Sequence, residues 1–168
     1  MKKIASLVLM LLCVILLVCS CGGGDADTIP TDVNFEECFT VGTVNGMTAI
    51  TGTTELGKAQ TVLVVPPTIG GAAVKAIADG ALDGCQQLKT IYIQSDANIS
   101  YLNNGAFRGA ISLKKIVIEK PHTAITVSAN LLDGAAGSAK VYVPAEYYAD
   151  YTSFYTWGAF SARIQQIQ

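Results

Sequence analysis

IADGALDGCQQLKTIYI (77–93) is followed after 25 residues by LNNGAFRGAISLKKIVI (102–118) and after 25 more by VSANLLDGAAGSAKVYV (127–143). When the three stretches are aligned, their apolar columns are Leu82/Phe107/Leu132, Ile91/Ile116/Val141 and Ile93/Ile118/Val143. A fixed period of about 20–30 residues is typical of proteins in which each repeat buries its apolar side against its neighbours. The sequence therefore predicts a repeat solenoid.

Each repeat divides into a strand and a returning turn. TIYI, KIVI and KVYV alternate in the way that short strands do, which predicts one parallel strand ladder. Asp79 precedes a Gly-Ala-Leu stretch, and Asn104 precedes a Gly-Ala-Phe stretch. Each stretch is predicted to form a short helical turn that is capped by the residue before it. Val74, Ile99 and Ala124 form a further column, and a weaker first repeat fits if Val65 matches Ile93 at a spacing of 28. Three extra residues in the turn at 69–73 would absorb the difference.

Both ends of the repeat array carry sequences suited to covering it. Asn45-Gly46 predicts a hairpin with a type I′ turn that places Val41 opposite Ile50 and Phe39 opposite Gly52. At the other end, Pro144 is followed by a predicted helix that carries tyrosines at 147, 151 and 155, and then by Trp157 and Phe160. These rings either bury the last repeat, which we favour, or form an aromatic shelf for sugars. Ile164 and Ile167 predict a short terminal strand.

VVPPTIGGAAVKAIADGALDGCQQLKTIYI (64–93) and the closing VYVPAEYYADY (141–151) resemble the BspA-like leucine-rich repeat proteins, cell-surface proteins of anaerobic bacteria. The resemblance extends from Phe39 to Gln168 and implies a leucine-rich-repeat-like, β-rich α/β fold and an adhesive function. Leu82 and Leu132 replace the family's usual Phe. Ser138 stands where the other repeats have Leu, so we expect the third repeat to pack more loosely.

The N-terminal sequence is that of an exported protein. Lys2 and Lys3 precede an apolar run from Ile4 to Val18, the pattern of a cleaved signal peptide at 1–20. The following Val-Cys-Ser-Cys resembles a bacterial lipobox, which implies lipidation of Cys21; an ordinary signal with incidental cysteines is the alternative. Residues 21–34 are predicted to be a tether, and Gly22 resembles an outer-membrane address. The chain is therefore expected to be a membrane-anchored lipoprotein, and its outward or periplasmic orientation stays open.

The remaining chain, 35–168, is predicted to be one domain, with a hairpin cap (35–58), repeats (59–143) and a C-terminal cap (144–168). Loss of Lys2 and Lys3 lowers the formal net charge of −2 by two further units. This balance argues against nucleic-acid binding, which requires clustered cations. Asp83, Arg108 and Asp133 share one repeat position and are expected to stack with alternating charge on the surface.

Catalytic and metal-binding patterns are not found in the sequence, so we expect no enzyme activity, no metal and no cofactor. His122 is interpreted as a solvated side chain in a turn. Export makes a disulfide between Cys38 and Cys85 chemically possible. However, Cys85 occupies a small-residue column with Ala110 and Ala135, so two buried free thiols are favoured.

The candidate partner surface lies on the outward side of the predicted ladder. If Leu63, Ile91, Ile116 and Val141 face the core, an exposed apolar row is formed by Val64, Tyr92, Val117 and Tyr142. Lys115 and Lys140 border it on one side, and Gln94 and Glu119 on the other. The row either binds a partner or simply favours sheet formation through its cross-strand pairs. The sequence is consistent with two functions: an adhesive surface module for a protein or glycan, and an envelope structural or assembly lipoprotein that binds a membrane protein of the same cell.

Overall fold

A computed structural model describes residues 28–168; the predicted signal peptide, Cys21 and tether residues 22–27 lie outside this range. Its strands are β1 (Phe39–Val44), β2 (Met47–Thr53), β3 (Val62–Val64), β4 (Thr68–Ile69), β5 (Ala72–Ala73), β6 (Ala76–Ile77), β7 (Thr90–Ile93), β8 (Tyr101–Leu102), β9 (Lys115–Ile118), β10 (Thr126–Val127), β11 (Lys140–Val143) and β12 (Ile164–Gln166). The α-helices are α1 (Glu55–Lys58), α2 (Tyr148–Ser153) and α3 (Tyr155–Gly158), and 3-10 helices cover Phe35–Cys38, His122–Ala124, Ala145–Tyr147 and Ser161–Arg163. The fold is a β-rich repeat structure built on two parallel ladders.

The first ladder is the one that the repeats predict. Its strands pair in the order β12-β11-β9-β7-β3, all parallel. One column of directly paired, fully buried residues contains Leu63, Ile91, Ile116 and Val141. The 25-residue register is thus confirmed. The 28-residue spacing of the first repeat is confirmed as well, because the small β4–β5 hairpin, which turns at Gly70 and Gly71, takes up the extra residues.

A second, unpredicted ladder runs along the other side of the repeats. Strands β2, β6, β8 and β10 pair in parallel, and Ile50, Ile77 and Leu102 are aligned and buried. β6, β8 and β10 have only two residues each, which is too short for strand alternation to be visible in the sequence. Between them, the two ladders enclose the hydrophobic core.

The predicted hairpin is present, with one difference in register. Asn45 and Gly46 both have positive φ, 50° and 76°, as a type I′ turn requires, and Val41 pairs with Ile50. A bulge between Thr40 and Val41 then shifts the pairing, so that Phe39 lies opposite Thr53 instead of Gly52. Phe39 and Ile50 are buried whereas Val41 is exposed, and β2 extends the second ladder by pairing with β6.

Tandem reverse turns replace the predicted helical turns. The N–H of Asp83 donates to Gly80 O at 2.9 Å, and Arg108 repeats this bond with Gly105. Gly80 and Gly105 have positive φ, 67° and 56°, which a helix cannot continue through. The predicted caps bond to the next repeat instead. Asp79 Oδ1 lies 3.0 Å from Arg108 Nη1, and Asn104 Oδ1 accepts from the N–H of Asn130.

The predicted charge column is found in part: Arg108 pairs with Asp83, but its second acidic partner is Asp79 and not Asp133. Arg108 Nε lies 3.5 Å from Asp83 Oδ1, as the register requires, and the guanidinium also pairs with Asp79. Both acids belong to the preceding repeat. The aliphatic part of Arg108 covers Gly134, where an added Cβ would lie 2.5 Å from its Cγ. Arg108 therefore contacts both neighbouring repeats, the preceding one through charge and the following one through packing.

The C-terminal cap is broken into short helices. Phe154 has ψ of 134°, which ends α2, so the expected single helix through Tyr155 is wrong. Tyr151 and Trp157 are fully buried, with ring centroids 4.8 Å apart, whereas Tyr155 is 93% exposed. Tyr151 donates to Lys120 O at 2.8 Å, and Trp157 Nε1 donates to Ile125 O at 3.3 Å. The two buried rings close the last repeat, as the favoured interpretation predicts.

Candidate functional site: the outer face of the first ladder

The predicted row of outward residues is in register. Val64 pairs with Tyr92, Tyr92 with Val117, and Val117 with Tyr142, and Gln165 of β12 continues the row. In a sheet these neighbours are stacked about 4.8 Å apart. The face therefore presents one side chain from each of five strands along a line that crosses the ladder.

Exposure along the row differs from the expectation of four exposed side chains. Val64 and Val117 are only 7% exposed, and Tyr92 and Tyr142 are half-buried. Each of these valines pairs with a tyrosine on a neighbouring strand, and a tyrosine ring is long enough to cover a valine one strand away. The accessible part of the row consists mainly of the two tyrosines.

The two lysines of the predicted surface have different environments. Lys115 Nζ lies 5.4 Å from the centroid of the Tyr142 ring, which is within cation–π range. Lys140 pairs with Lys115 across the ladder, but its Nζ donates to Ala162 O in the C-terminal cap at 3.2 Å. Lys115 thus belongs to the face itself, and Lys140 joins the face to the cap.

A cleft of about 460 Å³ lies on this face. It is lined by Tyr92, Lys115, Val117, Glu119, Tyr142, Gln165, Gln166, Ile167 and Gln168. Its lining combines apolar and aromatic side chains with the cation of Lys115, the carboxylate of Glu119 and several glutamine amides. Side chains of this kind can bind a ligand through stacking and hydrogen bonds, because amides and carboxylates together donate and accept.

The cleft wall formed by residues 165–168 was not predicted. The sequence indicated a terminal strand at Ile164 and Ile167, and β12 is that strand, with Ile164 buried and Ile167 37% exposed. It lies beside β11 as the fifth strand of the first ladder. The sequence contains little indication of this pairing, because the spacing between Val141 and its partner Ile164 differs from the 25-residue period of the repeats.

His122 is largely covered by the cap, which corrects the expectation of a solvated side chain. Its side chain is 16% exposed and packs against Phe154, with ring centroids 4.7 Å apart. Nδ1 lies 3.9 Å from Asp150 Oδ2 and has no hydrogen-bond partner. The C-terminal cap covers the His122 side chain, whereas Thr123 of the same turn stays exposed. Within residues 28–168, no group of three or more His, Cys, Asp or Glu side chains is placed to hold a metal ion.

Both cysteines of the described region are buried free thiols, as predicted. Cys85 Sγ lies 3.1 Å from Thr53 Oγ1, and Cys38 Sγ lies 3.8 Å from Asn34 O. Burial raises the pKa of both thiols, because it disfavours the thiolate. The thiols are therefore protected from oxidation and alkylation in two ways: reagents have restricted access to them, and they stay protonated.

We expect this protection to be visible in thiol titration. At pH 8 a disulfide reagent such as Ellman's should react slowly with native Cys38 and Cys85, because the thiolate is the reacting form and burial raises the pKa. After unfolding in denaturant, both thiols should react rapidly. A Cys85→Ala variant should then show one thiol fewer. Rapid reaction of the native protein, or absence of both thiols after unfolding, would contradict this account.

Within the described part of the chain, none of the helices has the length and hydropathy that crossing a bilayer requires. No family model matches the chain, and no curated protein matches it. Among solved structures, the chain is similar to the crystal structure of a T. pallidum leucine-rich repeat protein, with 19% identity and a TM-score of 0.36. The aligned region covers 71% of this chain and 65% of that one, so the chain spans about two thirds of that structure.

Proposed function

We propose that this chain is a lipid-anchored, BspA-like leucine-rich repeat module whose short solenoid binds a protein or glycan partner on the outer face of the first ladder. The observation that carries the proposal is the cleft in which Tyr92 and Tyr142 flank Val117 beside Lys115. Partly exposed tyrosines contribute large contact areas and a hydroxyl at the same position, which suits recognition. Adhesion at the cell surface is the role proposed for it.

The binding part of the proposal can be tested without knowing the partner. The full-length chain, solubilised in a neutral detergent, would be screened against arrays of matrix proteins and glycans. For any ligand found, Tyr142→Ser should weaken binding about tenfold or more, because interface tyrosines are frequent hot spots. Tyr155→Ser is the matched control, since Tyr155 lies on the cap and is 93% exposed. Equal effects of the two substitutions would place the binding site elsewhere.

The anchoring part predicts the behaviour of a Cys21 variant. Cys21→Ala should yield unprocessed or soluble protein, because lipid at Cys21 is the proposed membrane attachment. Fractionation of membranes with detergent would measure this. A variant that loses its signal segment and still partitions into the detergent phase would show that lipidation at Cys21 is wrong.

The second candidate is an envelope assembly lipoprotein with a membrane protein of the same cell as partner. It is favoured by the small size of the face, since five strands span only about 19 Å. Protease treatment of intact cells separates the two. Digestion of the domain on intact cells supports surface adhesion, whereas protection until the outer membrane is opened supports the periplasmic role.

A further inference from the structure

A row of cations lies where the strands of the first ladder begin. Lys115 and Lys140 are paired, and Arg163 directly precedes β12 in line with Lys140. Lys89 and Lys114 precede β7 and β9 and are exposed. The Lys89 carbonyl accepts from Lys114 N at 2.8 Å, and the Lys114 carbonyl accepts from Lys140 N at 2.9 Å. Lys89 and Lys114 therefore lie on neighbouring strands, one residue before the line that Lys115, Lys140 and Arg163 form. We call these five residues the basic row.

The basic row stands out against the composition of the chain, whose formal net charge is −2. It holds five of the nine lysines and arginines in residues 28–168. The four segments that lead into these strands contain no Asp or Glu, namely 86–90, 111–115, 136–140 and 159–163. Like charges held side by side repel one another and create a local positive potential. This edge of an otherwise acidic domain therefore favours an anionic ligand.

The basic row runs parallel to the tyrosines of the cleft. Lys115 and Val117 are two residues apart on the same face of β9, which is about 6.6 Å along the strand. Across four strands the basic row extends about 14 Å. Glu119 lines the opposite side of the cleft. A ligand lying across the strands would thus meet cations on one side, tyrosine rings in the middle, and a carboxylate on the other side.

The chemistry of this arrangement distinguishes between anionic ligands. β7, β9 and β11 are each paired on both sides, so their backbone groups are used within the ladder and cannot pair with a peptide strand lying across them. A bilayer surface would need protruding apolar side chains, but Val64 and Val117 are buried and the tyrosines are half-buried. A sugar chain needs neither, because its hydroxyls bond to side chains and its C–H faces stack on rings.

We propose that the cleft and the basic row together bind a linear polysaccharide that carries carboxylate or sulfate groups. The inference rests on the proposed binding function and names the ligand class of the same face. The anionic groups lie along the basic row, the sugar rings contact Tyr92 and Tyr142, and hydroxyls donate to Glu119. Binding is expected to weaken with salt, since exposed charges are screened within about 8–10 Å at 0.1–0.15 M.

The test compares each acidic polymer with its neutral counterpart. Retention of the full-length chain, in neutral detergent, would be measured in gels containing polygalacturonate or its methyl ester, and dextran sulfate or dextran. We expect retention by at least one acidic polymer, none by its neutral partner, and loss of retention in high salt. Poly-glutamate and vesicles with anionic lipid are run in parallel as the peptide and membrane alternatives.

Substitutions then locate the binding. Lys89→Gln and Lys114→Gln should each weaken binding about 2–5-fold, and together about 5–20-fold, as expected for exposed charge pairs. Lys75→Gln is the matched control. Lys75 is exposed, and its carbonyl accepts from Ser100 N and Tyr101 N just as that of Lys89 accepts from Lys114 N and Lys115 N, but on the second ladder. It should change binding by less than twofold.

Three outcomes would overturn the inference. In the first, the chain binds acidic and neutral polymers equally, or binds no polymer at all. In the second, Lys75→Gln weakens binding as much as Lys89→Gln or Lys114→Gln does, and in the third, poly-glutamate or vesicles bind more tightly than any acidic polymer. None of these outcomes by itself removes the proposed function. A ligand that depends on Tyr142 but not on Lys89 or Lys114 would leave that function in place while rejecting the polysaccharide. Absence of any Tyr142-dependent ligand would reject both.

Discussion

Phe107→Ala is expected to lower the free energy of unfolding by about 3–5 kcal/mol, the range for a large buried ring replaced by a methyl group. Phe107 is fully buried in the middle of the three repeats, in one column with Leu82 and Leu132. With a repeat on each side, the surrounding backbone cannot collapse into the space that the ring leaves. The cost should therefore include both the lost transfer free energy and a cavity.

Urea titration followed by circular dichroism measures this effect, and two variants control it. Ile111 lies in the same repeat but is 63% exposed, so Ile111→Ala should change stability by at most about 0.5 kcal/mol. Leu132→Ala should cost less than Phe107→Ala, near 2 kcal/mol, because Leu132 is already 8% exposed and the neighbouring Ser138 is exposed as well. Equal losses for Phe107 and Leu132 would show that the third repeat is packed as tightly as the second.

Trp157→Ala should cost a similar amount, about 3–5 kcal/mol. The ring is fully buried, packs edge-on against Tyr151, and its Nε1 donates to Ile125 O. Removing it opens a cavity at the end of the core and leaves a buried carbonyl without its donor, which adds to the cost. If the repeats need this cap, unfolding should remain a single transition with a lower midpoint.

Tyr155→Ala and Trp157→Phe are the controls for the cap. Tyr155 is 93% exposed, so its removal should be nearly neutral. Trp157→Phe keeps most of the apolar contact but loses the hydrogen bond. Its decrease in the free energy of unfolding should therefore lie between those of Tyr155→Ala and Trp157→Ala. A loss below about 1 kcal/mol for Trp157→Ala would mean that the cap packs only loosely on the last repeat.

The first ladder could be predicted because the same pattern of apolar residues occurs in three successive repeats. Ile91, Ile116 and Val141 recur at one period, and that repetition determines both register and the core-facing side. The second ladder was not predicted, because strands of two residues are too short to show an alternation of apolar and polar side chains. The helical turns were wrong because Gly80 and Gly105 adopt positive φ, which alignment alone does not reveal.

The candidate site was predictable in position and less so in accessibility. Register placed Tyr92, Val117 and Tyr142 on one line, but the shielding of Val117 depends on the size of neighbouring rings. The amide wall at 165–168 depends on β12 joining the ladder after a broken helical cap. β12 lies outside the repeats, so the 25-residue period does not give its register, which depends on three-dimensional packing.

The central claim is that the outer face of the first ladder contacts a partner, and photo-crosslinking tests it directly. Benzoylphenylalanine would replace Tyr142 or Tyr155 in the full chain produced in its native cells, which are then irradiated. Position 142 should give adducts severalfold more often than position 155, although Tyr155 is the more exposed ring. Adducts sensitive to protease indicate a protein partner, and those sensitive to glycan cleavage indicate a sugar. Equal or greater adduct formation at position 155 would contradict the claim.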